Sequence, residues 1–276
     1  MEGGLRQKKS VKHWDIASRG KRAKRGLAAE EEKYHKAEGN LTQDGRDMGA
    51  EELLQAVRSF RAWQAERFPG RGTYDIGGEW ETWYDGWTEI GTAFGKVLRE
   101  MNAEEADVFL LDEMVYIIAR DNECETLMEE LAEYPEWFGR LCRHSLHGEE
   151  QDAKWQFAAY LPECGCGGEV KDLILAFAED SCEYVCRRAL LAMPRIRPDK
   201  VEYYAEQFWN RNLYDSAMQE YQRIAALTAL NEIKSPLLEE YLRKAGEDGR
   251  EYLSQCAKKI EEENRQPAAR HLTSTD

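Results

Sequence analysis

Seven cysteines and five histidines are the side chains best suited to hold a metal or to act as nucleophiles, and their spacing decides what chemistry is open to them. Cys164-Gly-Cys166 and Cys182-x-x-x-Cys186 supply four thiols, the number a structural zinc ion takes. The residues between the pairs, 168 to 179, carry the pattern of one helix. Twelve helical residues span about 18 Å, so a continuous helix holds the two pairs too far apart to share an ion. Cys164 and Cys166 then read as part of a Gly-rich turn, and no metal is expected there. His144 and His147 stand at i,i+3 on one helical face, close to Cys142, Glu149 and Glu150. Two ligands on one turn need a third, and none stands at a suitable spacing. Histidines near a helix C-terminus suit the dipole instead. No phosphate-binding loop, G-x-S-x-G, H-E-x-x-H or dinucleotide fingerprint occurs. No carboxylate pair stands out as an acid and base, so neither catalysis nor a cofactor is expected.

The thiols also speak to compartment. An odd number leaves one over in any fully paired disulfide framework. The N-terminus has cations but lacks the apolar stretch of a secretory signal. Reduced, buried thiols in a cytoplasmic setting are the expected state. Apolar runs such as Met114 to Ala119 reach only six residues, against about 20 for a bilayer span. No membrane helix is expected.

Charge is distributed unevenly over the 276 residues. The formal net charge of -15 combines +7 in residues 1 to 25 with -22 in the remainder. Lys21-Arg22-Ala23-Lys24-Arg25 is the densest basic tract. Three readings fit it: contact with nucleic acid or an anionic surface, a targeting-like tract, or a solvated tail with too few large apolar residues to fold. Residues 1–48 are expected to form a disordered basic and polar arm.

From residue 49 the chain reads as helices. Leu53, Val57 and Phe60 follow the 3.6-residue period until Phe68-Pro69-Gly70. A second helix is expected over 79–101, with Trp80, Trp83, Trp87 and Phe94 in an apolar stripe that packs rather than binds. Residues 49–103 thus form an N-terminal helical cap. Helices are then expected in pairs over 104–120 and 123–133, 136–147 and 150–161, 168–179 and 181–193, 198–211 and 214–233, then 236–245 and 248–263, followed by a tail over 265–276. No period-2 strand pattern interrupts them, so the fold class is all-α.

The pairs repeat. Trp155 to Leu161, Arg187 to Met193, Ile224 to Leu230 and Ser254 to Ile260 align, with Ala158, Ala189, Ala226 and Ala257 near their centres. Self-similarity at this period marks stacked helical hairpins. Residues 104–264 resemble the HEAT-repeat family, most closely where Asp180-Ser181 precedes Val185-Cys186-Arg187-Arg188-Ala189-Leu190. The resemblance implies a right-handed α-solenoid whose second helices line a concave binding surface. On that surface Lys154, Gln156, Glu183, Gln219, Gln222 and Arg223 are expected to be exposed. Arg187, Arg188, Arg195 and Arg197 form a basic cluster whose guanidinium groups can fork to carboxylate or phosphate. The partner-binding candidates are Lys154, Arg187, Arg188, Arg195, Arg197 and Arg223. Set against this is a structural role, in which Arg187 makes a contact within the stack and the others are solvated.

Three functions of different classes are compatible with these residues. The first is a non-catalytic scaffold that binds a protein partner, the acidic body favouring a basic one. One form of it is an immunity or inhibitor protein that masks a basic toxin domain. The second is a HEAT-like alkylpurine-DNA glycosylase using Trp155 or Tyr221. The acidic body opposes it, because non-specific DNA affinity rests on neutralising phosphates. The third, a lyase- or chaperone-like protein acting on a cofactor-bearing partner, has no distinctive residue behind it.

Overall fold

The computed structural model describes the backbone over residues 48–272 and side chains over 49–265. The basic arm of residues 1–47 lies outside the described residues. Among those described, all regular structure is helical and no strand occurs. No helix among them is long and apolar enough to cross a membrane.

Helix α1 (Met48–Arg67) buries Leu53, Val57 and Phe60 and stops where Gly70 takes a left-handed conformation at φ 75°. The single helix expected over 79–101 is two pieces. A 3-10 turn (Trp80–Trp83) is separated from α2 (Trp87–Glu100) by Tyr84-Asp85-Gly86. The periodic spacing holds across the break, which is why the sequence reads as continuous. A Cβ on Gly86 would lie 2.7 Å from the Tyr84 ring, so a larger residue here would have to displace that ring. The result is an aromatic knot in which Phe60, Trp63, Trp80, Tyr84 and Trp87 touch one another. Trp83 is left outside, 57% exposed.

Helix α3 (Val108–Arg120) starts at Asp107, whose side chain accepts from the Leu110 N–H at 2.8 Å. Asp121 does the same for α4 (Thr126–Ala132), accepting from Leu127 at 2.7 Å. Such caps satisfy N–H groups that a helix start otherwise leaves orphaned. Then come α5 (Pro135–Ser145) and α6 (Gln151–Tyr160). The helix expected over 168–179 is broken at Asp172 into α7 (Gly168–Lys171) and α8 (Leu173–Ala178). Helix α9 (Glu183–Ala192) runs into a 3-10 turn (Met193–Arg195). Helices α10 (Pro198–Asn210) and α11 (Ser216–Glu232) follow, the second capped by Asp215. Gly249, at φ 80°, ends α12 (Leu238–Asp248), and α13 (Glu251–Leu272) continues through much of the tail expected from residue 265.

Helix packing follows chain order. Helix α3 packs on α1 and α6, α6 on α9, α9 on α11, and α11 on α13. Helix α5 lies against α3 and α6, α8 against α6 and α9, α10 against α11, and α12 against α11 and α13. Ala158, Ala189 and Ala226 are fully buried and Ala257 nearly so. These small residues sit in the α6–α9–α11–α13 series, where a larger side chain would force the helices apart at a typical cost of about 1–3 kcal/mol.

Candidate functional site

The six basic candidates divide between two environments. On α9, Arg187 donates to Glu183 Oε1 at 2.8 Å while its guanidinium lies 4.9 Å from the Tyr184 ring and 5.2 Å from the Tyr221 ring. Arg188 lies 5.1 Å from the Trp155 ring, and Trp155 meets Tyr184 edge-on at 5.4 Å. Three helices, α6, α9 and α11, therefore contribute to one ridge of aromatic rings and guanidinium groups in the order Arg188, Trp155, Tyr184, Arg187, Tyr221. Tyr184 and Tyr221 are exposed, and Arg187 and Arg188 are half-buried. Arg188 Nε is buried without a hydrogen-bond partner. Lys154 adjoins the ridge through Asp180, 3.1 Å away, whose other oxygen caps the Cys182 N–H at the start of α9.

The other three are elsewhere. Arg195, in the 3-10 turn after α9, pairs with Glu163 beyond the end of α6, and Arg197, at the start of α10, pairs with Asp172 at the α7–α8 break and with Asp199 in α10 itself. Arg223 pairs with Asp248 and donates to the Trp209 carbonyl at 3.1 Å, which ties α11 to the ends of α10 and α12. Arg195, Arg197 and Arg223 are thus not brought together with Arg187 and Arg188.

Three residues expected to face a partner are buried instead. Gln156, Glu183 and Gln222 are at most 8% exposed. Gln156 Nε2 donates to the carbonyls of Ile118 and Asp152, and Gln222 Nε2 donates to Glu183 Oε1 at 2.9 Å. Their Nε2 groups link packed helices, while the buried Oε1 atoms of Gln156 and Gln222 have no hydrogen-bond partner. Tyr184 was the residue that sequence spacing left out. The signal available was Tyr184-x-x-Arg187, an i,i+3 pair that places a ring beside a guanidinium on one face.

The cysteine pairs go to different neighbours even though the helix between them is broken. Cys164 Sγ donates to the Leu161 carbonyl at 3.3 Å, and Cys166 Sγ approaches the Pro135 carbonyl at 3.5 Å. Cys186 Sγ donates to the Glu183 carbonyl and touches the Tyr214 hydroxyl. Burial pushes Cys166 up to about 12 and raises Cys186 and Cys142 as well, so the thiolate that a metal or an electrophile needs is disfavoured. His144 meets Asp112 on α3 at 2.7 Å rather than His147. Among the described residues no cluster of three or more His, Cys, Asp or Glu has a metal-binding arrangement.

A second charged assembly lies where the N-terminal helices meet the rest. Arg120 is 1% exposed and pairs with Glu150, which also accepts from the Tyr74 hydroxyl at 3.2 Å. Arg61 forks onto Glu113 at 3.0 and 3.2 Å and covers the Tyr116 ring at 3.4 Å. Burial raises the Tyr116 hydroxyl to about 12 and the Glu81 carboxyl to about 7. Burial likewise moves Asp121 to about 6. A carboxyl whose folded value is raised holds its proton more tightly when folded, so stability falls as pH rises from its unfolded value through its folded one. These two groups are expected to make the protein more stable near pH 5 than at pH 8. Thermal melts of Glu81→Gln should lose part of that dependence and lie above wild type at pH 8; a variant whose melts overlay wild type at both values would contradict the assignment.

Comparison of the chain with known protein families, with characterised proteins and with solved structures finds no match.

Proposed function

We propose that the chain is a non-catalytic, HEAT-like repeat protein that binds a protein partner through the ridge formed by Trp155, Tyr184, Arg187, Arg188 and Tyr221. The observation that carries this reading is the interleaving of two exposed tyrosines with arginines already held in place. Trp, Tyr and Arg dominate interface hot spots because each offers a large flat surface together with a polar edge. Glu183 and the two flanking rings fix Arg187 before any partner arrives, which lowers the ordering cost of association. The order of helix packing, α3 to α6 to α9 to α11 to α13, supports stacked hairpins of the HEAT kind with these helices along one side. The net acidic charge of the body favours a basic partner by long-range steering. An inhibitor that covers a basic toxin domain is one protein of this description.

The test is affinity capture from the native source followed by a binding isotherm with the recovered partner. Truncating one hot-spot residue typically costs about 2 kcal/mol or more. The double variant Tyr184→Ala/Tyr221→Ala should therefore weaken binding at least about tenfold, with an unchanged helical circular dichroism spectrum. Arg195→Ala/Arg197→Ala, away from the ridge, should bind as wild type does. Equal affinity of wild type and the tyrosine variant would remove the ridge from the interface.

A further inference from the structure

Five of the six basic candidates are neutralised within the chain. Lys154 pairs with Asp180, Arg187 with Glu183, Arg195 with Glu163, Arg197 with Asp172 and Asp199, and Arg223 with Asp248. Arg188 is the exception. It is half-buried, no carboxylate among the described residues pairs with it, and its guanidinium rests against the Trp155 ring instead. Glu125, which shares this neighbourhood, is taken by the Tyr160 hydroxyl. The chain holds 53 acids against 38 Lys and Arg, so acids were not scarce, and yet this cation has none.

The nitrogens of Arg188 decide how a ligand can approach. Nε is closed off from the surface and has no hydrogen-bond partner. Nη1 and Nη2 make no hydrogen bond either, but they are not closed off. The open edge is therefore the end of the guanidinium, where two parallel N–H groups can donate to one planar acceptor. A carboxylate offers two matching oxygens and cancels one charge. A phosphate monoester brings close to two charges, and the second is left facing a body of net charge -22. The setting is also built in advance. Trp155, nearly buried, holds the guanidinium, and the exposed Tyr184 ring meets Trp155 edge-on beside it. A cation already held in place loses little freedom on binding, and the tyrosine face suits the methylenes of an incoming acid.

We propose that Arg188 receives the side-chain carboxylate of an aspartate or glutamate of the protein partner, gripped end-on beside Trp155 and Tyr184. The inference rests on the ridge being the partner-binding surface and adds the chemistry that the partner brings to it. Charge then acts at two ranges. The acidic body gathers basic proteins from a distance, and Arg188 accepts those that place one acid at this point, which fixes their register.

A library of short synthetic peptides, acetylated and amidated so that only side chains carry carboxylates, tests this with the full chain. Peptides that bind wild type and are lost with Tyr184→Ala/Tyr221→Ala are the ridge-dependent ones. Each should contain an acid whose change to the amide, Glu to Gln or Asp to Asn, weakens binding at least about tenfold, the lower end for a close interfacial charge pair. With Arg188→Met the same change should have no effect, because the two losses share one interaction. Arg188→Lys keeps the charge without the fork, so it should retain only part of the affinity, and it gives a second reading if the methionine variant folds poorly. Ridge-dependent peptides that bind equally well with acid or amide would overturn the carboxylate and leave the ridge standing. An equal cost of the amide in wild type and Arg188→Met would do the same. Tighter binding with phosphoserine in place of the acid would reassign the position to phosphate. If no peptide is lost with the tyrosines, the ridge itself fails, and this inference fails with it.

Discussion

Glu150→Ala is expected to cost about 3–5 kcal/mol of folding free energy, the range for stripping one partner from a buried ion pair. Arg120 cannot escape by losing its proton, and its side chain is 1% exposed. Its guanidinium lies 5.0 Å from the Tyr116 ring and 5.6 Å from the Tyr74 ring, and two of its three nitrogens already lack hydrogen-bond partners. Glu150 supplies the hydrogen bond to the third, and removing it leaves a buried cation held only by ring faces. The Tyr74 hydroxyl loses its acceptor at the same time. Urea unfolding followed by far-ultraviolet circular dichroism measures the loss. Glu150→Gln keeps an acceptor for both donors and should cost less than the alanine. A paired replacement, Arg120→Met with Glu150→Leu, should recover most of the stability, because well-packed apolar groups often substitute for a buried pair at little cost. If Glu150→Ala unfolds within about 1 kcal/mol of wild type, the pair is not what holds this junction.

Phe60→Ala is expected to cost a similar amount, about 3–5 kcal/mol, through a different mechanism. The ring is fully buried and lies 5.1 to 6.3 Å from the rings of Tyr84, Trp87, Trp63, Trp80 and Tyr116. Five aromatic planes around a vacated centre cannot all close in, so a cavity remains and dispersion contacts are forfeited. Near-ultraviolet circular dichroism should lose intensity, because the indoles of Trp63, Trp80 and Trp87 lose their fixed neighbour. Phe60→Leu fills most of the space and should cost less than half as much. Equal costs for leucine and alanine would mean that the ring's neighbours, and not its volume, set the stability of the knot.

The positions of the helices were legible in the sequence because burial imposes a 3.6-residue period that tolerates errors of a residue or two. The buried alanines at 158, 189 and 226 were legible for the same reason. The breaks at Gly86 and Asp172 were not, since the chain resumes its period on the far side of each. Polar residues were the harder case. Gln156 and Gln222 read as exposed, and whether an amide is exposed or buried depends on an acceptor supplied by another helix, such as the Ile118 carbonyl or Glu183. Arg120 is likewise an ordinary helix C-terminal cation until Glu150, thirty residues on, arrives beside it. The ion pairs of Lys154, Arg195, Arg197 and Arg223 reach partners 25 to 32 residues away. That is close to the spacing of the repeats, so the repeat and the pairing of its charges have one geometric origin.

The order in which the helices pack also governs how the molecule comes apart. Among the described residues no substantial contact joins helices more than three steps apart along the chain. Cooperativity must therefore pass from neighbour to neighbour, as in a line of coupled units. Damage at one end need not be felt at the other. The Glu150 and Phe60 variants weaken the α1–α6 end, while α11 to α13 retain their own buried contacts through Leu227, Leu230, Leu253 and Ile260. In such a protein a single melting temperature is not a property of the whole molecule. Hydrogen exchange in these variants should quicken from α1 towards α6 and fade along α9, with the amides of α11 protected as in wild type.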